Sequence, residues 1–144
     1  MIEQDTVRLL RECDAGVKMG ISALDDVRGR AHHAPMRAIL RESRQKHEQL
    51  REEVTHALHR FGDEGKNPNP IAKGMSHMKT RMKMMYDNRD STIASLMVDG
   101  CNMGIKSLSR YLNQYPAADE DSKRLAQDFI RLEEDLSHAL RGYL

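Results

Sequence analysis

The sequence predicts an all-α protein, a bundle of four long helices with a further short helix between the second and third. Three observations carry that prediction. Apolar residues recur at three- and four-residue intervals in four separate stretches, β-branched alternation is almost absent, and the prolines fall between the stretches, with Gly, Pro and Asn concentrated in DEGKNPNP, 63–70. The 144 residues suit a single domain, 1–144, long enough to bury one core.

The first stretch runs from Thr6 to about Arg30, with Leu10, Cys13, Val17, Gly20, Leu24 and Val27 on one face. Pro35 suits the first turn of a second helix, whose stripe is Met36, Leu40, Ser43, His47, Leu50, Val54, Ala57 and Phe61, with Gly62 as the stop. The short turn between them makes the pair antiparallel. DEGKNPNP, 63–70, reads as a linker, and Pro70 opens a Met-rich helix to about Tyr86 with Ile71, Met75, Met78, Met82 and Met85 on one side.

DNRDS, 87–91, interrupts that helix, and Asp87 or Asp90 is placed to accept hydrogen bonds from the free amides of the next one. The stripe of the third long helix is Ala94, Val98, Cys101, Ile105, Leu108, Leu112 and Tyr115, ended by Pro116. DEDS, 119–122, puts negative charge at the start of a last helix, where it complements the helix dipole. Leu125, Phe129, Leu132, Leu136, Leu140 and Tyr143 are its stripe.

Charged residues make up 31% of the chain with a net charge of only +1 and both signs interleaved, which argues against nucleic acid as the partner. No uncharged stretch is long enough to cross a membrane. MIEQDTVRLL lacks the regions of a signal peptide, and two cysteines do not make a disulfide framework, so the expected location is cytoplasmic with reduced thiols.

CDAGVKMG, 13–20, returns as CNMGIKSL, 101–108. The shift that carries Cys13 onto Cys101 also carries Gly16 onto Gly104, Lys18 onto Lys106 and Leu24 onto Leu112; a similar shift carries His47 onto Glu133 and Leu50 onto Leu136. The chain therefore reads as two repeated helical hairpins, 1–62 and 88–144, joined by a crossover, 63–87. A glycine inside a helix costs about 1 kcal/mol relative to alanine, so Gly16 and Gly104 are expected where another helix comes close.

The stretch LLRECDAGVKMGISALDDV, then RESRQKHEQL, then GMSHMKTRMKMM ahead of a second copy of the first, resembles small bacterial ferritin-like four-helix-bundle proteins of unknown function. The resemblance implies a ferritin-like fold with one long crossover. Di-iron members of that superfamily direct a Glu from two helices and a Glu-x-x-His from each of the other two into the bundle. This chain departs from the pattern, because Arg44 stands where the Glu before His47 is expected.

Glu53 with His56 and Asp135 with His138 match the spacing, but both pairs point away from their stripes and read as surface residues. The inward polar residues are Asp14, His47, Asn102 and Glu133. They are candidates either for one iron, manganese or zinc ion or for a buried hydrogen-bonded cluster without a cofactor, and the second reading is preferred.

Cys13 and Cys101 read as core fillers in preference to a redox pair. The face of Met75, Met78, Met82 and Met85 covers the bundle, forms a homo-oligomer (dimer) or protein-partner surface, binds Cu(I), or meets a membrane surface; the first is preferred. His32 and His33 fall in an exposed turn. No phosphate loop or catalytic nucleophile motif is visible, so the chain is read as non-enzymatic, acting by self-association or partner binding with a degenerate di-iron site. A single-metal or oxidative-stress protein is the alternative.

Overall fold

The computed structural model describes residues 2–70, 80, 83, 87 and 89–144. Four long helices hold most of them: α1, Ile2–Val27; α2, Ala34–His59; α3, Asp90–Gln114; and α4, Glu120–Leu140, followed by one 3-10 turn, Arg141–Tyr143. No strand occurs among the described residues, and the all-α four-helix architecture expected from periodicity is what is observed. Met75, Met78, Met82 and Met85, and with them the expected Met-rich face, lie outside the described residues.

The helix ends follow local chemistry. Pro35 stands in the first turn of α2, after an extended N-cap at His33. Gly62 takes φ +66°, a left-handed conformation that glycine adopts without a steric penalty, and its N–H closes on the His59 carbonyl at 3.0 Å. Asp119 caps α4, its carboxylate accepting from Ser122 N at 2.8 Å.

Asp90 behaves differently from expectation. Instead of capping α3, which starts after Arg89, it reaches the α1–α2 turn and accepts from His32 N and His33 N, both at 2.8 Å. Two consecutive amides match its two oxygens.

These contacts fix the directions of the helices. At the start of α1, Asp5 accepts from Ala117 N at 3.1 Å and Thr6 from Asp119 N at 2.8 Å, so the α3–α4 connection lies there. At the end of α1, Asp90 places the start of α3. Thus α3 runs antiparallel to α1 and parallel to α2, while α4 runs parallel to α1. The connection from α2 to α3 must join opposite ends of the bundle.

The helix α1 packs on α2, α3 and α4, and α4 packs on all three others. The contact of α1 with α4 spans a diagonal and depends on missing side chains. A Cβ on Gly16 would stand 2.9 Å from Cε2 of Phe129. Glycine at that position is what lets the ring in.

The interior forms two apolar clusters. One gathers Leu9, Leu10, Cys13, Val17, Leu50, Val54, Leu108, Leu125 and Phe129; the other gathers Leu24, Val27, Met36, Leu40, Ile93, Met97, Cys101, Leu136 and Leu140. Between them, at mid-height, fall Gly20, His47, Gly104 and Glu133. Val98, Ile105 and Leu112, expected in the core stripe of α3, are only half-buried, and Ile93, Met97 and Cys101 take the inner positions with Leu108. The helix is rotated so that Gly104 rather than Ile105 faces the buried Glu133. No helix among the described residues is long and apolar enough to cross a membrane.

Candidate functional site

His47 sits midway along the apolar face of α2 and is 0% exposed. Its Nδ1 lies 2.7 Å from the Ser43 carbonyl one helical turn back, and a carbonyl only accepts, so Nδ1 carries a proton. That assignment of the tautomer rests on the hydrogen-bond partner. The hydroxyl of Ser43 lies 3.4 Å from the same nitrogen.

On the other side of the ring, Nε2 lies 2.7 Å from Oε1 of Glu133 on α4, itself buried. A separation of 2.7 Å is that of a short hydrogen bond, so the two groups are each other's partner. The bond reaches across the bundle between the second and fourth helices.

Each of the other helices adds a fitted surface to the pair. A Cβ on Gly20 of α1 would lie 2.9 Å from Cδ2 and 3.0 Å from Nε2 of His47. A Cβ on Gly104 of α3 would lie 3.5 Å from Oε2 of Glu133. Phe129 meets the imidazole edge to face, with ring centroids 5.9 Å apart at 85°.

Cys101, also on α3, is a buried free thiol beside Glu133. Burial first, then the charge and hydrogen bond of Glu133, push that thiol well above its ordinary range. Among the described residues no buried side-chain nitrogen or oxygen lacks a partner. The layer is therefore closed, with its donors and acceptors used internally.

Of the four residues singled out by sequence, the structure brings together His47 and Glu133. Asn102 is exposed on the outer side of α3. Asp14 is 2% exposed, but it holds the start of the connection after α2: Oδ2 accepts from Lys18 Nζ at 2.7 Å and from Lys66 N at 2.9 Å. Its carboxylate also fills the space that a Cβ on Gly65, at φ +93°, would occupy.

Around Asp14, Lys18 donates to the Lys66 carbonyl at 3.3 Å and Lys66 pairs with Glu12 at 2.6 Å. Arg11 reaches Asp63 with Nε at 2.9 Å. Asp14 is thus the anchor of a turn.

Arg44 lies at the surface, paired with Asp25 at 2.6 Å and Glu48 at 3.4 Å. Glu53, His56, Asp135 and His138 are exposed, in agreement with their angular positions. Among the described residues no group of three or more His, Cys, Asp or Glu side chains is placed to hold a metal ion.

Cys13 and Cys101 are both buried free thiols, one in each apolar cluster. The sequence reading missed the roles of Cys101 and Gly20 in the layer. The available signal was their register: Gly20 and Cys101 both interrupt apolar stripes with small residues, but periodicity does not say what fills the space. The chain matches no protein-family model, no curated protein and no solved structure.

Proposed function

We propose that this chain is a non-enzymatic, ferritin-like helical-bundle protein with a degenerate metal centre, acting by self-association or partner binding. The parallel course of α2 and α3, with one connection joining opposite ends of the bundle, matches the single long crossover of ferritin-like folds. The repeat of Cys13, Gly16 and Lys18 as Cys101, Gly104 and Lys106 belongs with the same reading.

The observation that carries the proposal is the 2.7 Å bond between His47 and Glu133. His47 Nε2 and Glu133 Oε1 are each other's partner, and the remaining nitrogen of His47 is held by the Ser43 carbonyl, so both imidazole nitrogens are engaged within the protein. A single-ion site on Asp14, His47, Asn102 and Glu133 would require Asp14 to leave Lys18 and Asn102 to turn in from solvent. No observation favours that rearrangement.

The test is elemental analysis of protein produced with added iron, manganese and zinc, alongside a His47→Gln variant. The expected result is metal far below one ion per chain in both. Near-stoichiometric metal in the parent protein that disappears in His47→Gln would overturn the proposal in favour of a metal-binding function.

A further inference from the structure

We infer that the outer side of α3 is a homodimer surface on which Asp99, Met103, Lys106 and Arg110 pack antiparallel against the same residues of a second copy, across a two-fold axis beside Met103. The inference rests on the self-association reading above and names the surface that would serve it.

The four residues follow one another at intervals of four, three and four, which keeps them within about 60° of one another around a helix of 3.6 residues per turn. All four are exposed, Met103 at 70%, so the stripe sets one large apolar side chain among charged ones. None of Asp99, Lys106 and Arg110 makes an ion pair within the chain among the described residues.

The order of charges selects the occupant. The stripe reads acid, apolar, base, base along the helix. A parallel copy would set like charge against like, whereas an antiparallel copy sets acid against base twice, and a two-fold axis generates that arrangement from a single kind of chain. With Met103 meeting its counterpart on the axis, Asp99 lies about 6 Å to one side and the partner's facing cation about 4.5 Å to the same side at 1.5 Å per residue. The offset is about 1.5 Å, within reach of a lysine side chain.

One helix stripe lies at the small end of specific interfaces, so the dimer is weak and concentration-dependent. Its exposed charges are screened beyond about 8 Å at physiological ionic strength, so added salt weakens it further.

The test is sedimentation equilibrium over a wide range of protein concentration at low and high salt. Expected are a monomer–dimer equilibrium loosened by salt and about tenfold weaker self-association in Met103→Glu, Asp99→Lys and Lys106→Asp, since each of the two charge reversals removes two symmetric charge pairs and a glutamate at 103 sets two like charges together on the axis. Mixing the last two variants should produce a heterodimer, because at positions 99 and 106 one chain then offers two cations and the other two carboxylates.

All three residues are exposed, so an unchanged unfolding midpoint of the isolated monomer shows that a variant is still folded. A chain that stays monomeric throughout the range would overturn the surface and self-association together. A dimer unaffected by all three substitutions would overturn this surface and leave self-association standing.

Discussion

Replacing Gly20 by alanine is the sharpest probe of the polar layer, because two opposing effects are both large enough to measure. Alanine inside a helix is favoured over glycine by about 1 kcal/mol. At Gly20 the added methyl would stand 2.9 Å from Cδ2 and 3.0 Å from Nε2 of His47, closer than carbon atoms pack. The ring has little freedom to yield, being 0% exposed, held at 2.7 Å on both nitrogens and backed by Phe129.

Overpacking of this kind costs about 1–3 kcal/mol, and lengthening the bonds of a buried pair adds about 1–3 kcal/mol. Gly20→Ala should therefore lower stability by roughly 1–5 kcal/mol after the helix gain is deducted. Gly100, in the same kind of helix interior, has nothing within 4 Å of its would-be Cβ. Gly100→Ala should instead raise stability by up to about 1 kcal/mol.

The assay is urea unfolding at a protein concentration low enough to favour the monomer, read as a shift of midpoint with unchanged slope. The cost of Gly20→Ala should also shrink in a His47→Ala background, where the ring is gone. If Gly20→Ala is as stable as the parent, or if its cost is the same without the imidazole, the reasoning about the layer is wrong.

Three further outcomes follow from the same geometry. His47→Leu or Glu133→Leu alone should cost about 3–5 kcal/mol by stranding a buried partner, while the double replacement should recover most of that loss, as measured by a double-mutant cycle in urea. The Arg11 guanidinium bonded to Asp63 holds that carboxyl below its usual range, so the stabilisation is present above the unfolded carboxylate pKa and lost as pH falls through the lower folded value. The acid limb of a stability–pH curve should therefore flatten in Asp63→Asn, and an identical limb would refute the linkage. Burial first, then the neighbouring charges of Glu12 and Asp14, push the Cys13 thiol up to about 12, so alkylation of the folded protein at pH 8 should be slow for Cys13 and become rapid in denaturant.

Much of the fold was legible because its signals are local. Pro35 at the start of α2, Gly62 at its end and the acidic start of α4 act within one turn of the residues that carry them. The position of His47 was also readable, since one apolar stripe surrounds it. What failed depended on neighbours. Asp87 or Asp90 was read as a cap for α3; the oxygens of Asp90 are taken instead by two amides of a turn far away in sequence, while Asp87 accepts from Arg89 N. Val98 and Ile105 were assigned to the core because a stripe two positions wide fits either side of a helix.

The candidate site divides along the same line. Sequence alone determined the four helices, their approximate limits and the inward place of His47 and Glu133, because periodicity and capping are properties of single segments. Only the tertiary structure decided that these two groups bond to each other, that Asp14 holds a turn and that Asn102 faces solvent. Which side chains meet depends on the rotation and axial shift of one helix against another. Those quantities are set by packing at a few contacts, such as Gly16 under Phe129 and Gly20 under His47, and no repeat length within one helix encodes them.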